Sequence, residues 1–167
     1  VLLCGPAMVA PGRSYEFLLT PGQVTIIPQN NYVRRVYTDG RGHPKPVPLS
    51  FQGDTIGHWE GNTLVMETVG LRDESEFIHA LRSDKANRTV TIVERIQKTD
   101  ANHMRVDTTL DSPVVFNKPL TYSANYNRTQ FAVSEEICTQ NNLAVDPKTG
   151  DQVFPSAPNN DHSVPPR

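Results

Sequence analysis

Asp54-Thr-Ile-Gly-His-Trp-Glu-Gly-Asn-Thr-Leu-Val-Met-Glu-Thr-Val-Gly70 reads as a complete β-hairpin with chemistry at its turn, and its reading decides the fold. Thr55–Trp59 and Thr63–Val69 are short runs rich in Thr, Ile, Val and Trp, residues that suit a pleated, half-buried surface. Between them Glu60-Gly-Asn62 supplies a turn in which glycine can take positive φ. His58, Trp59 and Glu60 therefore end a strand. If the sheet curls into a barrel, they lie at its mouth or in its wall.

Working outward, Val24–Ile27 and Tyr32–Thr38 make a second hairpin across Pro28-Gln-Asn-Asn31. In its second strand Tyr32, Arg34, Val36 and Thr38 share one face, and Val33, Arg35 and Tyr37 share the other. One arginine has to point each way, and the inward one needs a carboxylate or a ligand. Three prolines within residues 44–48 make the stretch from Asp39 to Pro48 a loop that can fold over a barrel end. Thr89–Gln97 and His103–Leu110 are the clearest strands, and Glu94 is the polar exception on a face with Val90, Ile92 and Ile96. Leu120–Tyr126 and Phe131–Ser134 bring the total to seven or eight.

Short connections and the lack of long helical periods predict an all-β, antiparallel, lipocalin-like barrel of about eight strands with Pro-rich terminal segments. Residues 1–22 form a lead-in with one helical turn at Tyr15–Leu19, residues 23–142 the barrel, and residues 143–167 a Pro-rich tail. Residues 70–86 are charged with weak helical spacing and predict a short helix or a lid. The tail, with Val153 and Phe154 as its anchor, packs on the barrel or on a neighbouring chain, which admits a homodimer.

The 16 basic and 18 acidic residues among 167 are mixed along the chain and leave a net charge of -2, so nucleic acid and anionic membranes are not expected partners. No apolar run approaches the roughly 20 residues of a membrane span. Cys4 and Cys138 either clip the N-terminal segment to the end of the core or stay two free thiols. Asn87-Arg-Thr89 and Asn127-Arg-Thr129 are glycosylation acceptor patterns, though a chain rich in Asn, Ser and Thr contains such triplets by chance. The chain starts without Met or a charged-then-apolar leader, which carries no information on export.

Several of these stretches occur together in one known group. Thr20-Pro-Gly-Gln-Val-Thr-Ile26, Arg34-Arg-Val-Tyr-Thr-Asp-Gly-Arg41 with His43 and Pro44, Ile56-Gly-His-Trp-Glu-Gly-Asn-Thr-Leu-Val65 with Thr68-Val-Gly70, Val93-Glu-Arg95, and Cys138 followed by Asn141-Asn142 resemble a large family of uncharacterised, mostly exported bacterial proteins. The resemblance spans roughly residues 4–142. It implies a secreted or periplasmic setting and, through the match of Cys4 to an early family cysteine, a Cys4–Cys138 disulfide. The chain departs from the pattern between residues 72 and 89, where the family often carries a His-containing segment and Leu81-Arg-Ser-Asp-Lys-Ala-Asn-Arg88 stands here. In size and in lacking cofactor motifs the chain is also similar to cofactor-free fungal cyclases, including hetero-Diels–Alderases that join a tropolone quinone methide to a terpene.

The sequence has no Gly-rich phosphate loop, CxxC, HExxH or nucleophile elbow, and its histidines at 43, 58, 79, 103 and 162 show no ligand spacing. The expectation is therefore chemistry without cofactor or metal. His58, Glu60, Glu94, Glu67 and Asp39 are candidates for acid–base work, with His58, Glu60 and Glu94 foremost. Trp59, Arg34, Tyr37, Arg35 and Met66 are expected to contact a hydrophobic substrate, an inward Arg or Tyr binding a developing oxyanion. Each also has a structural reading: the Trp-Glu-Gly turn pins a hairpin, and Glu94 pairs with a cross-strand Arg. Two functions follow. One is a cofactor-independent lyase, isomerase or cyclase, in its sharpest form dehydrating a substrate to a quinone methide for hetero-Diels–Alder cyclisation in secondary metabolism. The other is a lipocalin-like carrier of a hydrophobic small molecule.

Overall fold

Burial alternates residue by residue along 23–28, 34–37, 91–97 and 103–111, as it must where a sheet has one face in a core and one in solvent. The structure, a computed structural model, describes Val9, residues 13–28, 33–72 and 87–130, and the backbone of 144–145 and 152–153. Eight strands, β1 (Tyr15–Thr20), β2 (Gln23–Pro28), β3 (Arg34–Tyr37), β4 (Asp54–Glu60), β5 (Thr63–Val69), β6 (Thr91–Lys98), β7 (His103–Asp111) and β8 (Leu120–Asn127), pair in chain order. They form one strongly curled, half-barrel sheet of the lipocalin-like kind, with no α-helix among the described residues. In a separate unit, residues 137–167, β9 (Ala144–Val145) and β10 (Gln152–Val153) make a small antiparallel ladder.

Two expectations change. Tyr15–Leu19 is a strand rather than a helical turn: Tyr15, Phe17 and Leu19 fall on one face at period two, and all of β1 is registered against β2. The sheet, antiparallel in its other pairings, is also not antiparallel throughout, because β3 and β4 are parallel. Residues 38–53, the Pro-rich loop included, supply the long connection that a parallel pair needs. The helix or lid expected at residues 70–86, beyond Arg72, and the strand Phe131–Ser134 lie outside the described residues, as do Cys4, Cys138 and Phe154.

The central hairpin forms as the sequence predicts. Glu60 pairs with Thr63, so Gly61 and Asn62 alone make the turn, and Gly61 takes a φ of 61°. Gly57 answers a different constraint. A β-carbon there would stand 2.8 Å from Val36 Cγ1 and 2.9 Å from the carbonyl oxygen of Val65, so its absence lets β3 lie close against β4.

Register then fixes the inner face. Val24 and Ile26, Arg34 and Val36, Leu64, Met66 and Thr68, Ile92, Glu94 and Ile96, and Val106, Thr108 and Leu110 all point inward. The apolar members form two clusters. One is Val9, Val24, Ile26, Val36, Leu64, Met66, Ile96 and Val106; the other is Leu71, Val90, Ile92 and Leu110. Glu94 stands between Ile92 and Ile96 on β6, and Thr108 between Val106 and Leu110 on β7, so a polar belt separates the clusters.

Candidate functional site

The belt is organised by one ion pair. Arg34 is 3% exposed and Glu94 is fully buried, with Arg34 Nη1 2.5 Å from Glu94 Oε2. Arg34 also donates through Nη2 to Thr68 Oγ1 at 2.6 Å and through Nε to Thr55 Oγ1 at 3.3 Å, while the two threonine hydroxyls lie 2.8 Å apart. The backbone N–H of Val9 donates to Glu94 Oε1 at 2.8 Å, so the carboxylate also holds Val9 in the core. Such bonding is what lets two charges stay buried. The inward arginine and the carboxylate it needs are thus Arg34 and Glu94, and Arg35 turns out to solvent.

Beside the first cluster the half-barrel opens into a cavity of about 1070 Å³. Its apolar wall is Tyr15, Phe17, Leu19, Val24, Trp59, Leu64, Ile96, Met104 and Tyr126. Tyr15 and Tyr126 bring the two edge strands together edge to face, with ring centroids 6.0 Å apart and planes at 81°. Burial, before any neighbouring group, pushes the Tyr126 phenol well above the ordinary tyrosine range and raises that of Tyr122, so both stay protonated.

His103 stands at the rim. Its Nδ1 is 2.6 Å from Asp100 Oδ2, and Asp100 Oδ1 accepts the backbone N–H of Asn102 at 2.8 Å and of His103 at 3.0 Å. The Asn102 N–H, then the His103 ring, hold the Asp100 carboxyl below its ordinary range. Asp100 thus builds the β6–β7 turn and orients the imidazole at once.

The register divides the residues quoted first. Trp59, 48% exposed, pairs with Leu64 and faces the cavity, whereas His58 and Glu60 stand on the outer face. There His58 Nε2 is 3.1 Å from Glu60 Oε1, and Arg95 Nη2 is 2.5 Å from Glu60 Oε2. The Arg95 guanidinium, then His58, lower the Glu60 carboxyl. The same face carries Arg105 and Asp107, whose carboxylate also accepts from Ser123.

The other sequence candidates are spread through the fold. Met66 is fully buried in the core between Gly57 and Glu94. Tyr37 carries the Arg41 guanidinium 4.0 Å above its ring, and Arg41 is paired with Asp39. Glu67 meets His43 Nε2 at 3.2 Å, and His43 Nδ1 meets Asp54 at 2.8 Å, so this histidine ties the Pro-rich loop to the central hairpin. Asn127, in the second acceptor pattern, ends β8 at the cavity rim, and Asn87 begins a short 3₁₀ turn. Among the described residues no three His, Cys, Asp or Glu are grouped to hold a metal.

Sequence reasoning missed Tyr15, Phe17, Met104, Tyr126 and His103 as cavity residues. The period-two spacing of Tyr15, Phe17 and Leu19 was the available signal. No protein-family model, curated protein or solved structure matches the chain.

Proposed function

We propose that this protein binds a hydrophobic small molecule in the mouth of its half-barrel, as a lipocalin-type carrier does. The observation that supports the reading is the cavity of about 1070 Å³, walled by four aromatic side chains together with Leu, Ile, Val and Met. Pockets of this size and composition bury most of a drug-sized ligand and gain affinity from apolar area removed from water. His58 and Glu60 stand on the outward register and Glu94 is bonded to Arg34 and the Val9 amide, so the binding reading draws on none of the three.

Trp59 is the single tryptophan and lines the cavity, which makes it the natural reporter. Hydrophobic compounds from a metabolite extract should remain on the native protein in mass spectrometry and shift Trp59 emission. Replacing Met104 with Trp, to fill the cavity, should abolish retention. If no compound is retained and the emission never moves, the reading falls.

One observation favours a second reading, a cofactor-free enzyme of the lyase, isomerase or cyclase class. His103 lines the cavity, and the Asp100 carboxylate on its Nδ1 completes the arrangement that readies an imidazole for general acid–base work. A compound converted by active but not heat-killed protein, with conversion lost in His103→Gln, supports it. A compound retained without change supports the carrier. An exported setting with a Cys4–Cys138 disulfide belongs to either reading, and a mass two units lower before than after reduction would establish the bond.

A further inference from the structure

We infer that the ligand of this cavity is an organic anion, an aromatic or conjugated apolar body bearing one carboxylate- or sulfonate-type group. The inference rests on the binding reading above and concerns the rim rather than the wall. Arg13 precedes β1, Lys98 ends β6 and Arg128 follows β8, and all three line the cavity. Among the described residues none of the three has an ion-pair partner, although the chain as a whole carries a net charge of -2.

Register makes Lys98 the most telling of them. It continues the inward series Ile92, Glu94, Ile96, pairs with Met104 and lines the cavity while staying exposed, a placement in which a lysine stem covers apolar surface and its ammonium keeps to water. Turn contacts hold two of the three backbones. Asn62 Nδ2 donates to the Lys98 carbonyl at 3.2 Å, and the Arg128 N–H donates to the Asn102 carbonyl at 2.7 Å. Among the described lining residues the only carboxylate is Glu16, on the outward register of β1 between Tyr15 and Phe17; Asp100 is not in the lining and is held by the His103 ring and the Asn102 and His103 amides. Cations at a low-dielectric opening focus potential on an entering anion, and the aromatic wall takes its apolar body.

The test uses a pair of probes that share a ring framework. 8-Anilinonaphthalene-1-sulfonate carries the anion, and N-phenyl-1-naphthylamine lacks it. Both are titrated by fluorescence at one site per chain, on the wild type and on the triple variant Arg13→Gln, Lys98→Gln, Arg128→Gln. Affinity for the sulfonate should fall about tenfold or more in the variant, whereas affinity for the neutral probe should stay within about twofold. On the wild type, raising salt from 0.05 to 0.5 M should weaken the sulfonate selectively, which tests the idea without any substitution. Unchanged sulfonate affinity in the variant, with no salt dependence in the wild type, overturns the inference. If the neutral probe binds under those conditions the cavity reading survives; if neither probe binds the wild type, both fall.

Discussion

Glu94 and Glu60 each face an arginine across the same curled sheet, and the two pairs have nearly equal separations. Arg34 and Glu94 meet at 2.5 Å, as do Arg95 and Glu60. What differs is water. The first pair is 3% and 0% exposed, the second 46% and 47%. Inside, the charges depend on protein groups: on each other, and on partners that include Thr55, Thr68 and the Val9 amide. Outside, solvent and salt substitute for any partner removed. Distance alone therefore says little about what an ion pair is worth.

The largest effect should come from breaking the inner pair on one side. Glu94→Ala leaves the Arg34 charge buried and should cost about 3–5 kcal/mol of stability, read from urea unfolding. The double variant Arg34→Met, Glu94→Leu should recover most of that loss; if it is no more stable than Glu94→Ala, the pair is not the unit that matters. Next comes the approach that brings the arginine-bearing strand inward. Gly57→Ala meets backbone at Val65 and should cost about 1–3 kcal/mol, because a carbonyl cannot move aside as a side chain can.

Alkaline stability is the third test. Burial raises Tyr122 and Tyr126 above their unfolded value, so their contribution is complete below about pH 10 and is lost as pH climbs towards the folded values. Circular dichroism against pH should show the alkaline transition of Tyr126→Phe moving upward relative to the wild type. On the acid side Glu60 and Asp107 are lowered, first by Arg95 and Arg105 respectively. Their contribution is present above the unfolded carboxylate values near pH 4 and disappears as pH falls through the lower folded ones. Carboxyl NMR titration should find both midpoints below those of model peptides, and 1 M salt should erase much of the difference. The smallest effect is expected of Glu60→Gln. It should move the urea midpoint only slightly and leave Trp59 emission where it was, and a large shift in either would mean that the outer network reaches the core or the cavity.

Local pattern made much of this legible. The hairpin from Asp54 to Gly70, the strands on either side of Asp100 and the opposed directions of Arg34 and Arg35 follow from period two and turn chemistry, which need only neighbouring residues. Glu94 was legible as an exception requiring a partner, and one of Arg34 and Arg35 as an inward charge requiring one, though nothing local said which arginine or joined it to Glu94. The helical turn expected at Tyr15–Leu19 shows the opposite case. Five residues with two aromatics and two leucines fit either period, and pairing with β2 decided for the strand.

The sequence by itself determined an all-β chain, its central turn at Gly61 and the need for buried charges to find one another, because those depend on backbone preference and the cost of burying a lone charge. Only tertiary structure decided which face of each strand looks inward. A single step of register sends Trp59 to the cavity and His58 and Glu60 to solvent. Curling the sheet then brings Tyr15 against Tyr126, across more than a hundred residues of chain, and makes an aromatic-walled cavity from strands that carry no motif in common.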